Sequence, residues 1–396
     1  MQEFEYEFGG PIGAFFTILI LPFFTLLLTH FASIGKIDLD IFNICNVLSS
    51  QITLPILLKC MVGCLAWFLL QVLLCYVLPA DLVKGAPLPH PKKQPEQRLV
   101  YRINGHLAFW VTFLLLFCAF PFFDDEGRLQ FTQAPLHLLY EYYTPLALAS
   151  IVWCTLLSIY LYIKSFGKGL LLAKGGNSGN VIYDFYMGRE LNPRWGSFDW
   201  KEFCELRPGL MGWALLNAAF ILVQKEKLGH VSGSMMLVNV FQGIYVWDAL
   251  YQERAILTTM DITTDGFGFM LVFGDMAWVP FTYSLQARYL VDHDPGLGIG
   301  SLVAILGINF WGYFIFRGAN SQKDAFRRDP NHETVRHLQY LQTKRGTRLL
   351  TTGWWGQARK INYTGVWIMG FSWCLVHLFR CCRDAFITWR VVGGGN

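Results

Sequence analysis

Residues 11–30 read PIGAFFTILILPFFTLLLTH, a run without a single Asp, Glu, Lys or Arg. About 20 apolar residues, rising ~1.5 Å each in a helix, cross the ~30 Å hydrocarbon core of a bilayer. The preceding MQEFEYEFGG is acidic and lacks the basic leader of a cleaved signal, so this run reads as a retained membrane helix. Working outward from it, similar runs lie near 53–79, 106–123, 136–163, 209–224, 230–250, 266–290, 297–316 and 362–380. The expected fold is therefore all-α, a polytopic integral membrane helical bundle with about nine transmembrane segments. Composition agrees. Of 396 residues, 54% are apolar, 16% aromatic and only 15% charged, where a soluble domain carries about 25% charge. Mean hydropathy is +0.36. These values exclude a disordered chain, a collagen and a disulfide-stapled secreted module.

The positive-inside rule sets the orientation. With the N-terminus in the cytosol, cytosolic loops hold 23 of the 32 Lys and Arg, and the opposite loops hold only Lys36, Arg128, Lys225 and Lys227. Two cytosolic stretches, 164–208 and 317–361, are too long to be simple connectors. The ten cysteines lie mostly in apolar runs, with no CxxC pair and no histidines spaced i, i+4, so no metal site is expected. The net charge of +4 gives no reason to expect a nucleic-acid partner. Gly167 to Asn180 is glycine-rich and reads as a corner, since no strand precedes it. Gly296 to Gly300, GLGIG, reads as a close helix-packing patch.

Three groups of residues are candidates for chemistry. Between Arg317 and Lys360 stand ten basic residues against three acids, a net charge of +7. One reading is a belt attracted to anionic membrane lipid. The other is a phosphate site in which Lys323 and Arg327, four apart, share one helix face, with Trp354 and Trp355 as a stacking surface and Asn362 and Tyr363 following. The second group is Tyr245, Asp248 and Glu253 near the cytosolic end of the sixth run, followed by Asp261, Asp265 and Asp275; acids at such depth are functional candidates. Structural ion pairs and helix caps are the alternative, with Asp261 or Thr264 as N-cap of the seventh helix. The third is Val181 to Gly209, whose dense opposite charges suggest a satisfied network holding a re-entrant loop that walls a pocket.

Several runs resemble a known family. GNVIYDFYMGRELNPR (Gly179 to Arg194), LTTMDITTDGFGFMLVFGDMAWVPFTYSLQARYLV (Leu257 to Val291), NSQKDAFRRDP (Asn320 to Pro330) and TKRGTRLLTTGWWGQARKINY (Thr343 to Tyr363) are similar to sterol reductases of the fungal-type Δ14-sterol reductase branch. The membrane domain of lamin B receptor is a near relative of that branch. The resemblance runs from about residue 12 to 374, within a single transmembrane domain, 1–380, followed by a tail, 381–396. It implies a multi-pass endoplasmic-reticulum enzyme that uses NADPH to saturate the 14,15 double bond of a sterol intermediate in ergosterol-type biosynthesis. Cofactor-binding positions carried over are Lys323, Arg327, Leu350, Trp355, Asn362 and Tyr363. Tyr245 matches the tyrosine facing the reacting centre, with Asp248 and Glu253 as further members of a proton path.

An alkene conjugated only to another alkene is a poor hydride acceptor. Reduction should begin by protonating carbon 15, leaving a tertiary cation at carbon 14 for the hydride of NADPH. Val376 to Asn396 departs from the family pattern, which ends in a second Arg-, Asp- and Cys-rich cofactor signature; Arg380 to Asp384 match it only superficially. A truncated or mis-spliced reading frame explains this most simply, and the chain as written is expected to have little or no reductase activity. The competing readings are a non-catalytic sterol-binding or scaffold membrane paralogue and, against the absence of repeats, a transporter.

Overall fold

The computed structural model describes residues 4–37, 40–88, 98–118, 121–123, 129–131, 134–343 and 348–393, the side chains of 41, 117–135 and 378–393 excepted. Lys92, Lys93, Asp124, Asp125, Arg128, Lys344 and Arg345, and the side chains of Arg380 to Asp384, thus lie outside the described residues. The chain divides into two compact units, residues 1–230 with 242–293, and residues 231–241 with 294–396.

Among the described residues five helices are long and apolar enough to cross a membrane. Four lie in the first unit: Gly10–Ile34, Leu54–Val77, Tyr143–Lys164 and the near-continuous Trp200–Leu228; the fifth, Ile299–Arg328, is in the second. The 266–290 run is not one straight helix. It breaks into Phe269–Phe273, a π turn Gly274–Trp278, Val279–Tyr283 and Leu285–Leu290. Pro280 has no N–H to give to the ladder, and a wider turn just before it absorbs the mismatch. Likewise 136–163 divides at Tyr142 into Ala134–Glu141 and Tyr143–Lys164. Short antiparallel hairpins, such as Asp81–Pro87 on Arg98–Ile103, join helices of the bundle.

The core of the first unit is aromatic, with Tyr183, Phe203, Phe267, Phe269 and Phe273 all buried. The segment that the sequence marked as a charged re-entrant loop packs into this core, and several of its polar groups find partners there, whereas a buried oxygen of Glu202 and of Glu205 has none among the described residues. Asn180 caps the helix Val181–Met187 and Asp199 caps Trp200–Leu206. Asp184 accepts from the Ser178 and Gly179 N–H groups at 2.7 and 3.1 Å. The buried Lys201 ammonium donates to the backbone carbonyls of Asp261, Ile262 and Asp265. These bonds do inside the protein what water does outside it.

The glycine-rich stretch does turn a corner, with Asn177 bonded to the carbonyls of Ala173 and Arg189. GLGIG is a different matter. A Cβ at Gly298 or Gly300 would meet nothing within 4 Å, so the two glycines do not mark a close-packing patch. Nor does Asp261 or Thr264 cap the seventh helix: Gly268 precedes Phe269–Phe273, and Thr259 precedes the short helix holding Asp261.

The second unit is built on two long antiparallel helices, Ile299–Arg328 and Ile361–Gly393. Asn309 bonds Ser372 at 2.8 Å at one end of their contact, and Asn362 reaches Asn320 at 3.4 Å towards the other. Between these, the backbones nearly touch at Gly312 and Gly365, where an added Cβ would lie 2.8 Å from the Gly365 oxygen or 2.6 Å from the Phe316 nitrogen. Small residues at such a crossing let helix backbones approach.

Gly188 sets the docking of the re-entrant loop. Its φ is +85°, and a Cβ there would sit 2.2 Å from the Gly268 nitrogen. Gly188→Ala is expected to cost at least ~2 kcal/mol through backbone strain and overpacking. A thermal melt of the detergent-purified protein should show a lowered midpoint; an unchanged midpoint would mean that the loop docks elsewhere.

Candidate functional site

Tyr245 and Asp248 lie on the helix Gly233–Tyr251, three residues apart and therefore on one face. The Tyr245 ring packs on Trp213 at 5.8 Å between centroids, and Trp213 on Tyr283 at 5.0 Å. Beneath them runs a buried chain of amides that the sequence reading missed. Gln242, one turn before Tyr245, accepts from Trp213 Nε1 at 2.9 Å and from Asn217 at 2.6 Å, and it donates to Gln286 at 2.9 Å. An amide at such depth holds its place only while its hydrogen bonds are made, so this chain locks the helix rotation that presents Tyr245. The available signal was plain: Asn217 and Gln242 are uncharged polar residues inside apolar runs.

Glu253 is placed differently. The helix ends at Tyr251, and Glu253 opens a separate short helix, Glu253–Ile256. Its carboxylate pairs with Arg207 at 2.9 Å and accepts the Gly105 N–H at 2.7 Å, with both charged side chains almost wholly buried. Arg207 also donates to the Arg102 carbonyl. This is the geometry of the structural alternative, a buried ion pair joining the ends of three helices.

Asp261 and Asp265 flank the carbonyls that hold Lys201. Burial first, then Asp265, push the Asp261 carboxyl above the ordinary carboxylate range, and Lys201 only partly opposes this. Asp275 sits on the π turn, where its backbone oxygen packs against Gly209. None of these three is brought into contact with Tyr245.

In the second unit, Lys323, Trp355 and Asn362 come together on one side of the helix pair. The Lys323 ammonium lies 5.0 Å from the centre of the Trp355 ring, whose Nε1 donates to the Ala319 carbonyl at 2.9 Å. Trp354 packs over Gly318, and its N–H donates to Gln322 at 3.0 Å. Arg327 is one turn further along and exposed. Arg328 is neutralised by Asp324 at 2.6 Å, whereas Lys323 and Arg327 have no ion-pair partner among the described residues. Two uncommitted cations on one face beside a flat indole suit an anionic, ring-bearing ligand. Leu350 is apart from this ledge, in an apolar cluster with Phe326, Val335 and Leu338 that props the strand Arg348–Leu350. Tyr363 is exposed and carries Lys360 over its ring at 5.1 Å.

The first unit thus defines a polytopic helical membrane protein with a buried polar network behind a tyrosine, and the second adds a cationic, indole-lined ledge. The chain belongs to the Ergosterol biosynthesis ERG4/ERG24 family, whose model matches residues 2–389 and so includes 376–389. It is 43% identical to the Delta(14)-sterol reductase erg24 of Schizosaccharomyces pombe, covering 94% of this chain and 85% of that one. Identity to the Delta(14)-sterol reductase of Ascobolus immersus is also 43%, over 95% of this chain and 87% of that one. With the Delta(14)-sterol reductase LBR of Gallus gallus it is 45%, over 94% of this chain and 56% of the relative.

The site geometry separates the acids by role. Glu253→Ala leaves a buried guanidinium without its partner and is expected to destabilise the protein by ~3–5 kcal/mol. Asp248→Asn should change stability by less than ~1 kcal/mol. Detergent melts of the two variants check this; a Glu253→Ala protein as stable as the parent would return Glu253 to the catalytic candidates.

Proposed function

We propose, in place of the expected inactive chain, that this protein is an NADPH-dependent Δ14-sterol reductase of the endoplasmic-reticulum membrane, with its N-terminus and basic loops in the cytosol; the family match through residue 389 supports activity. It would saturate the 14,15 double bond of a sterol intermediate. The observation that carries the reading is 43% identity over 94% of the chain to a relative named as a Delta(14)-sterol reductase. The chemistry of the two units supports it.

The residues of the second unit fit a phosphorylated, ring-bearing cofactor. Lys323 and Arg327 would hold its phosphates, the Trp355 indole would offer a stacking face already polarised by the cation above it, and Asn362 would add an amide. Leu350 and Tyr363 would act at the margins of this ledge, Leu350 by supporting the strand beside it. Bound NADPH supplies a hydride.

In the first unit, Tyr245 is the proton donor. Its phenol gives a proton to carbon 15 of the sterol, which leaves the positive charge at tertiary carbon 14. Asp248, three residues on, returns the proton from the cytosolic side. The aromatic rings of Trp213 and Tyr283 behind Tyr245 stabilise the cation and keep water from trapping it. Glu253 takes no proton in this scheme; held by Arg207, it keeps the end of the site in place.

Two substitutions test these roles in membranes of a strain without other Δ14-reductase activity. Tyr245→Phe should lower kcat by ~100-fold or more, with the KM for NADPH within about threefold. Lys323→Ala should raise that KM ~10-fold or more and leave kcat within about threefold, because a charged hydrogen bond is worth ~1.5–3 kcal/mol. A Lys323→Ala enzyme with unchanged KM would remove the ledge from the cofactor site.

A further inference from the structure

A second apolar site in the first unit is left unused by the reductase chemistry. A cavity of about 760 Å³ opens between the helices Leu54–Val77, Tyr143–Lys164 and Pro208–Leu228, within the ~300–1,000 Å³ range of small-molecule pockets. It lies on a different face of Pro208–Leu228 from the Tyr245 network. Gly212, Leu215 and Leu216 line it, whereas Trp213 and Asn217 turn to Gln242. From the re-entrant loop come Trp195, Trp200 and Pro208, so that loop does wall a pocket. The rim residues Leu65, Leu138 and Leu156 are exposed, which opens the cavity sideways towards the bilayer.

Two residues of the Leu54–Val77 helix say what would fill it. Lys59, in the second turn, is the one charged side chain among the described residues lining the cavity. It has no ion-pair partner among them. A lysine within an apolar span costs ~2.5–3.5 kcal/mol at mid-bilayer unless its head reaches the interface or an anion. Gly63, one turn deeper, lies on the cavity wall, where a Cβ would meet nothing within 4 Å. Glycine inside a helix costs ~1 kcal/mol against alanine, and here it keeps the floor clear. From Lys59 to Phe68 the wall runs ~14 Å along the helix axis, about the depth of one leaflet.

We propose that this cavity binds one phospholipid of the surrounding bilayer, with its phosphate on Lys59 and one acyl chain laid past Gly63 to Phe68. Charge complementarity selects this occupant, since a phosphate satisfies the Lys59 ammonium and a sterol has no anion to offer it. A flexible chain also follows a wall made of three helices and a loop.

The test is lipid retained by the full-length protein, purified from membranes in a mild detergent, extracted, and measured by mass spectrometry for phospholipid and sterol. The parent should keep about one phospholipid per chain after washing. Gly63→Leu, whose Cβ would enter open space on the cavity floor, and Lys59→Gln should each reduce that retention at least ~5-fold. Thermal melts of both variants should show a midpoint at or above the parent's for Gly63→Leu, as expected for removing a helix glycine. Equal phospholipid retention in the parent and both variants would overturn the proposal. So would a sterol in place of the phospholipid that is lost in Gly63→Leu.

Discussion

The first unit depends on the ion pair of Arg207 with Glu253, 2.9 Å apart and shielded from solvent on both sides. It stands where the non-helical segment ends and the Pro208–Leu228 helix begins, and Glu253 also takes the first N–H of the helix starting at Gly105. Opposite charges at this depth are stable only together, because either alone would be an uncompensated ion in a medium that cannot solvate it. The pair therefore fixes three helix ends at one point. The same constraint shows at two other charges of the loop, Lys201 on its three carbonyls and Asp184 on its two N–H groups.

The second unit treats charge in the opposite way. Its two helices are held by small residues and amides, with Gly312 against Gly365 and Asn309 on Ser372. Beyond the contact, Asp324 claims Arg328, and Lys323 and Arg327 have no ion-pair partner among the described residues. Phosphate recognition needs cations not already satisfied by carboxylates, and Lys323 and Arg327 meet that condition.

Much of this was legible in the sequence where one residue type carries the signal alone. The run at 11–30 became the helix Gly10–Ile34, and Lys323 with Arg327 fell on one helix face as their spacing required. The dense charges of 181–209 became a partly satisfied network: Asp184 and Lys201 are bonded, while Glu202 and Glu205 each keep a buried oxygen with no hydrogen-bond partner among the described residues. Legibility failed where the outcome depends on partners distant in sequence. Glu253 reads as a catalytic candidate or a structural ion pair, and its partner Arg207, 46 positions away, is seen only in the fold. Leu350 sits in an apolar cluster because Phe326 and Val335 fold towards it, which spacing does not reveal. The break of 266–290 followed from Pro280 and the wide turn before it, which overrode a continuous apolar pattern.

The account rests on protonation of carbon 15 as the opening step of sterol reduction, and the source of the two added hydrogens tests this most directly. Reduction of a Δ14 sterol by this protein with unlabelled NADPH in deuterated water, followed by mass spectrometry and NMR of the product, locates the solvent hydrogen. The account predicts one deuterium at carbon 15 and none at carbon 14. Solvent deuterium at carbon 14, or a product free of deuterium, would contradict it.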